Sequence, residues 1–342
     1  MRFAKGHGTE NDFVILLDPD GSEGLTAALA SRLCDRRSGI GGDGVLRVVR
    51  AAAWWPARPG GGADGLADAA SVPGGGAGGG ADELADAASG PRGGAGSGAG
   101  GLEDAASVPG GGLARPEWFM DYRNADGSVA EMCGNGIRVF ARYLAQHGLA
   151  PGPEFAVATR SGPRQVRLGA SGEITVEMGC VAVLGPGSAV IAGQACRGLR
   201  VSVGNPHLAC LVDGPLAGLD LSEAPKLDPG EFPEGGNVEL VRMTGPASVA
   251  MRVYERGSGE TRSCGTGAVA AATAAAAASG RSDGTWAVRV PGGDLTVTLE
   301  AGLGWLTGPA VIVAEGELDP SWLADTAPSH HDQARSHTVC RT

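Results

Sequence analysis

Two stretches decide the fold, Glu131–Ala141, EMCGNGIRVFA, and Arg262–Ala272, RSCGTGAVAAA. Each places Cys-Gly-X-Gly at the opening of a helical pattern. After the first, Ile137, Phe140, Ala141 and Leu144 recur at helical spacing, which predicts an amphipathic helix over Gly134–Gln146 stopped by Gly148. After the second, Ala268–Ala278 has high helix propensity and small side chains all round, the composition of a closely packed central helix. Polar residues stand nine positions before each cysteine, Asn124 and Glu255. Further upstream GTENDFV (from Gly8) parallels VGNPHLA (from Val203), and GGDGVL (from Gly41) parallels GGNVEL (from Gly235). Asn205 lies 59 residues before Cys264 and Asn11 lies 122 before Cys133. Removing a low-complexity insert described below brings the second spacing to about 60. Four signals in one order imply two homologous halves, each delivering one cysteine to a shared site.

A cysteine at a helix N-terminus faces unpaired N–H groups and the positive dipole end, so its thiolate is expected to be stabilised and its pKa lowered. The glycines beside it let backbone approach a ligand, and the exposed N–H groups suit a carboxylate. Two such cysteines related by pseudo-symmetry suit inversion at a carbon: one thiolate takes a proton from one face, the opposite thiol returns one to the other. The demand is large. An amino-acid α-proton is roughly a dozen pKa units weaker than a thiol, a gap of order 17 kcal/mol. Donors aimed at the developing carbanion must supply much of it. Pyridoxal phosphate would need a Schiff-base lysine, and the only lysines are Lys5 and Lys226, neither beside a phosphate loop. The expectation is a cofactor-free reaction. Metal is not expected either, because zinc-type C-x-x-C and H-x-x-x-H spacings are absent. The missing C-x-x-C also disfavours a thiol redox protein.

The remaining strands are short, β-branched and bounded by Gly, Pro or Asp: Phe13–Asp18, Gly44–Arg50, Glu173–Gly179, Leu199–Gly204, His207–Asp213, Asn237–Met243, Val249–Gly257 and Thr296–Glu300. The chain has 342 residues, 60 of them Gly, with 4% aromatic residues. The glycine is concentrated in an insert from about 51 to 115, which carries an 18-residue repeat starting at Leu66, Leu84 and Leu102. Each unit has little to bury, so the insert reads as a disordered, repeat-expanded loop. The segment 319–342, with its His330-His331 pair, reads as a tail. The net charge of −11 argues against nucleic-acid binding. No apolar run reaches the ~18–20 residues that span a bilayer, and the first residues lack a signal-peptide core. Seven cysteines without close pairs point to a reducing, cytoplasmic compartment.

Lys5–Val14, Cys34–Leu46, Asn124–Leu144, Gly204–His207, Gly235–Val241 and Tyr254–Ala268 closely resemble the diaminopimelate epimerase family. The resemblance implies an α/β (α+β) fold of two pseudo-symmetric halves, each a mixed sheet around a central helix, with the active site in the cleft between them. The implied boundaries are 1–178 plus a returning strand at about 309–318, then 179–308. It implies interconversion of LL- and meso-diaminopimelate without cofactor, in lysine and peptidoglycan biosynthesis, by a homodimer. By motif, Cys133 is the proton donor and Cys264 the acceptor, with His207 and Glu255 tuning them. Asn11, Gly44, Asn124, Gly134, Asn135, Asn205, Asn237, Glu255, Arg256, Gly265 and Thr266 are the implied substrate contacts. The alternative is a related racemase of the proline or hydroxyproline type. Another class is a relative of this fold without racemase activity, which loss of one cysteine would mark.

Overall fold

The computed structural model describes residues 1–54 and 115–324. The repeat units of the insert and the His330-His331 pair lie outside the described residues. The first half runs β1 (Arg2–Gly8), β2 (Asn11–Leu17), α1 (Ala27–Cys34), β3 (Gly44–Arg50), α2 (Ala51–Trp54), β4 (Trp118–Asn124), α3 (Gly134–Gln146), β5 (Glu154–Thr159), β6 (Gly162–Leu168) and β7 (Ile174–Cys180). The second runs β8 (Ala182–Ile191), β9 (Gln194–Ser202), β10 (Pro206–Leu211), β11 (Lys226–Leu227), β12 (Asn237–Gly245), β13 (Ser248–Glu255), β14 (Gly259–Thr261), α4 (Gly265–Ala278), β15 (Gly284–Val290), β16 (Gly293–Glu300) and β17 (Leu303–Gly308). Then β18 (Val311–Glu317) returns to the first half, followed by α5 (Pro320–Ala324).

Strand pairing shows the duplication directly. From β1 to β7, successive neighbours are antiparallel, parallel, antiparallel, parallel, antiparallel, antiparallel. The strands β9, β10, β12, β13, β15, β16 and β17 repeat that series in the same order. On the outer side β18 lies antiparallel on β1 as β8 does on β9. An antiparallel join of β7 to β17 makes one continuous sheet.

Each half wraps a helix. Strands β1–β4, β7 and β18 pack on α3, and β9, β10, β12, β13 and β15–β17 pack on α4. The Ala-rich face-free composition of α4 suits this: Ala270, Ala271, Ala272 and Ala275 are fully buried. The parallel pairs are covered on both faces, which explains their unbroken apolar runs. In β2, Phe13 and Ile15 face the α3 core while Val14 and Leu16 face Leu29 and Leu33 of α1. In β10 and β12, Leu208, Cys210, Val238 and Leu240 are covered by Leu221 and Phe232.

Helix ends follow the expected chemistry. Cys133 and Cys264 are the N-caps, each in extended conformation, with Sγ accepting from the N–H three residues on. Gly148 sits at φ +64° just past α3, where the left-handed conformation suits glycine. Two short helices lie inside segments that composition alone gives to the insert and tail. In α2, Trp54 stacks on Phe119 at 4.4 Å between centroids. In α5, Trp322 donates to Ser38 O at 3.0 Å beneath the Arg32 guanidinium.

Candidate active site

The duplicated topology brings the N-termini of α3 and α4 together. A Cβ placed on Gly265 would stand 3.2 Å from Gly134 Cα and 3.6 Å from Asn135 N. Both positions need glycine for this approach; a Cβ on Gly134 would meet Met178 Cε at 2.6 Å. Cys133 and Cys264 therefore flank one junction. In the first turn of each helix, the N–H groups of Gly134, Gly265 and Thr266 have no intrahelical acceptor and can serve an anion, while that of Asn135 is directed at the Cys133 sulfur.

Side chains from both halves meet there. Cys133 Sγ donates to Asn11 Oδ1 at 3.8 Å, and Asn135 Nδ2 donates to Asn11 Oδ1 at 3.2 Å and to Ser263 O at 3.0 Å. Asn11 is itself held by Asp43, to which its Nδ2 donates at 2.7 Å. On the other side Cys264 Sγ lies 3.5 Å from Thr266 Oγ1, which accepts from Asn205 Nδ2 at 3.5 Å. His207 Nε2 stands 2.9 Å from Asn205 Oδ1, an acceptor, so Nε2 carries a proton. Its Nδ1 lies 2.7 Å from Glu239 Oε1. The Glu255 carboxylate takes hydrogen bonds from Thr261 and Cys264.

The outer residues form a second shelf. Asn237 Oδ1 accepts from Arg256 N at 2.9 Å, and Nδ2 donates to Pro206 O at 3.3 Å. A cavity of about 370 Å³ opens beside them, lined by Glu131, Asn205, Phe232, Glu234, Gly235 and Arg256 among others. Its polar rim of one guanidinium and several carboxylates suits a zwitterion. Two sequence-derived positions make no hydrogen bond to either thiol. The Asn124 side chain donates to Ser128 within its own turn, at 3.0 Å. Gly44 pairs with Asn124, and a Cβ there would meet Tyr122 and Arg123 at 2.6 and 2.5 Å, so only its backbone is presented.

The electrostatics correct one expectation. Helix N-termini do donate to both sulfurs, Gly136 N to Cys133 and Gly267 N to Cys264, each at 3.4 Å. Burial outweighs them: it pushes the Cys133 thiol up to about 11, with Glu255 adding to the rise. Burial raises Cys264 well above the usual thiol range, aided by Glu255 and Glu239. Glu255 is raised too, mainly by its own burial. The substrate-free site thus stores protons on its sulfurs, because desolvation disfavours the charged form more than two N–H groups favour it.

Several site residues carry no motif of their own. Glu239 is a fully buried acid in the apolar strand NVELV, and that misplaced polarity is its one sequence signal. Arg138, fully buried, is likewise a charge on the inner face of α3. Thr9 and Ser263 lock the halves together by a 2.7 Å hydroxyl contact. To make it, Thr9 and Glu10 form the β1–β2 turn with φ of +50° and +62°, where glycine or asparagine is usual. Such non-glycine strain costs about 1–3 kcal/mol per residue and clusters at functional sites.

A family model described as diaminopimelate epimerase matches residues 111–184 and 199–316. The chain belongs to the diaminopimelate epimerase family. A protein of that name from Thermobifida fusca is 52% identical over 323 residues, covering 94% of this chain and 100% of the relative. Another, from Mycolicibacterium smegmatis, is 46% identical over 331 residues, covering 94% and 98%. Solved structures share the fold at low identity. A Bacillus anthracis phenazine biosynthesis protein of the PhzF family superposes with TM-score 0.58 at 14% identity, covering 93% of this chain and 99% of that one. A probable proline racemase from Agrobacterium radiobacter does so with TM-score 0.56 at 13% identity, covering 93% of each. The fold is therefore the mixed α/β architecture of two similar halves that this group shares. Among the described residues no helix is long and apolar enough to cross a membrane, and no three His, Cys, Asp or Glu side chains cluster as for a metal.

Proposed function

We propose that this protein interconverts LL- and meso-diaminopimelate by a two-thiol mechanism, acting as a cytoplasmic homodimer in lysine and peptidoglycan biosynthesis. The observation that carries the reading is the junction of two cysteine-capped helices. The reacting α-carboxylate lies on the first-turn N–H groups of α3 and α4, where fixed donors need no reorganisation as charge develops. The distal amino-acid end occupies the cavity at Arg256, its carboxylate on the guanidinium and its ammonium among the carboxylates. Asn11, Asn124, Asn205 and Asn237 complete the recognition, with Gly44 offering backbone. Such a second polar end distinguishes this substrate from proline.

In the LL direction, Glu255 relieves Cys264 of its proton as the substrate closes the site. The Cys264 thiolate then takes the α-proton and becomes a thiol. Cys133 delivers its proton to the opposite face and is left as the thiolate. Holding both thiols protonated until substrate arrives keeps them from reacting with other electrophiles. His207, fixed between Asn205 and Glu239, orients the amide beside Thr266 and Cys264. Incubating the reduced protein with LL-diaminopimelate in D2O is expected to place deuterium at one α-carbon and to yield the meso form. Absence of any exchange would overturn the two-thiol reading, and exchange with proline instead would favour the racemase alternative.

A further inference from the structure

Arg138 is fully buried in α3, five residues past the Cys133 cap, and its hydrogen bonds go to neutral acceptors. Its Nη2 donates to Asn135 Oδ1 at 3.0 Å and Thr9 Oγ1 at 3.1 Å, its Nε to Pro309 O at 3.4 Å, and its Nη1 to Gly134 O at 3.5 Å. Among the described residues no carboxylate lies within ion-pair reach of it. The other deeply placed arginine, Arg47, has Asp18 and Asp121 within 3.2 Å. A buried cation without an anion costs several kcal/mol, so its retention calls for a reason. Space is cleared for it: a Cβ on Gly8 would stand 3.1 Å from Nη2 and one on Gly308 3.4 Å from Nε.

The guanidinium reaches the residue before Cys264 through one intermediary and the Cys133 thiol through two. Thr9 Oγ1 continues to Ser263 Oγ at 2.7 Å, and Asn135 Nδ2 continues to Ser263 O at 3.0 Å. Both routes end on the residue before Cys264. Asn135 also donates to Asn11 Oδ1, the acceptor of the Cys133 thiol. Among the described residues, the ionisable group whose charge bears on Arg138 is Cys133; burial draws the guanidinium down to about 10 and the thiolate opposes this.

We propose that Arg138 is a positioning residue that holds the two cysteine caps in register and supplies the resident counter-charge for the Cys133 thiolate. This rests on the two-thiol reading of the site. When Cys133 gives its proton to the carbanion, its sulfur becomes negative in the field of a cation already in place. Besides the Gly136 and Asn135 N–H groups, which also favour the thiolate, the ionisable groups bearing on that sulfur do not help: Glu255 on β13 opposes its ionisation, and Tyr122 on β4 stays a neutral phenol because burial raises it well above the usual range.

The test is the rate of Cys133 alkylation by iodoacetamide in substrate-free protein, read by peptide mass spectrometry from neutral pH to about 9, where the guanidinium keeps its charge, beside steady-state kinetics. Arg138→Gln removes the charge and is expected to slow alkylation about tenfold at a given pH by lowering the thiolate fraction. Ser263→Ala keeps the guanidinium but cuts its hydroxyl link to the Cys264 cap, so Cys133 alkylation stays near wild type while kcat falls about tenfold with KM little changed. Equal slowing of alkylation in the two variants, or none in either, overturns the proposal. Should the glutamine variant not fold, Ser263→Ala decides alone: unchanged alkylation with reduced kcat supports the proposal, and slowed alkylation or wild-type kcat overturns it. A wild-type protein without turnover would sink the epimerase reading, yet the Cys133 titration would still report on Arg138.

Discussion

Adding one methyl group at Gly265 tests whether the spacing of the two helix N-termini sets the rate. The new Cβ would lie 3.0 Å from Leu306 Cδ2 and 3.2 Å from Gly134 Cα. Leu306 can rotate its end away; the α-carbon of Gly134 is backbone and can yield only if α3 moves. Restoring ordinary contact requires about 0.5 Å of separation between the helices. Overpacking of this kind costs about 1–3 kcal/mol. In a fold of this size that lowers the melting temperature by about 2–10 °C. The same displacement separates the two thiols and the first-turn N–H groups proposed to hold the α-carboxylate, and misplacement of about 1 Å can cost about 10²-fold in rate. Gly265→Ala is therefore expected to lose about ten- to a hundredfold in kcat for epimerisation, measured by α-deuterium uptake, while staying folded by calorimetry. Gly218→Ala is the control, since open space surrounds that position and its φ is ordinary. A Gly265→Ala protein with wild-type exchange and a lowered melting temperature would refute the link between helix spacing and catalysis.

Other consequences follow from the same geometry. Because Cys133 stays protonated in the fold up to about 11 against an ordinary value of 9.0, the native state binds the extra proton between those values. Stability from this group is present below that window and lost as pH rises through it, by about 2–3 kcal/mol in all; denaturant titrations at its two ends should show a smaller loss for Cys133→Ser. Cys133→Ala or Cys264→Ala should each abolish epimerisation without unfolding the protein, and wild-type turnover by either would contradict their pairing. Glu239→Leu strands His207 Nδ1 and should cost about 3 kcal/mol in a thermal or denaturant melt, while Glu239→Gln, which can still bond the ring, should recover most of it. An unaffected leucine variant would show that the His207–Glu239 contact holds nothing in place.

The central helices were legible because their signals are local. Gly134–Gln146 is marked by a cap, an apolar stripe and a closing glycine, and its observed bounds are the same. The parallel strands were legible because covering on both faces makes FVILL continuously apolar and GVLRVV apolar apart from Arg47. Strand β18 was visible only through the family resemblance, since it has no fully buried residue and so no alternation to read. In β15 the alternation exists, with Trp286, Val288 and Val290 inward, but a run of three is weak beside its neighbours. The paired cysteines stood out because the motif occurs twice. Arg138 and Glu239 did not, because a single charge in an apolar run does not say whom it meets. Thiol acidity was misjudged for a related reason: the donors to sulfur are encoded within three residues, whereas the desolvation that defeats them comes from strands distant in sequence.

The return of the chain to its first strand has a consequence during synthesis. Arg2 stands opposite Glu317, so the edge of β1 has no partner until nearly all of the described chain has been made. At about 5–20 residues per second, that interval is about 15–60 s. Throughout it the amino-terminal half presents an open sheet edge and, once α3 has been made, one uncovered flank of that helix, the side on which β18 packs. An unpaired edge is a template for wrong partners. The second half meets no such delay, because β8 is made immediately before β9. The two halves share an architecture but not a timetable, and a nascent chain stalled before Val311 would be trapped with the more adhesive half unfinished.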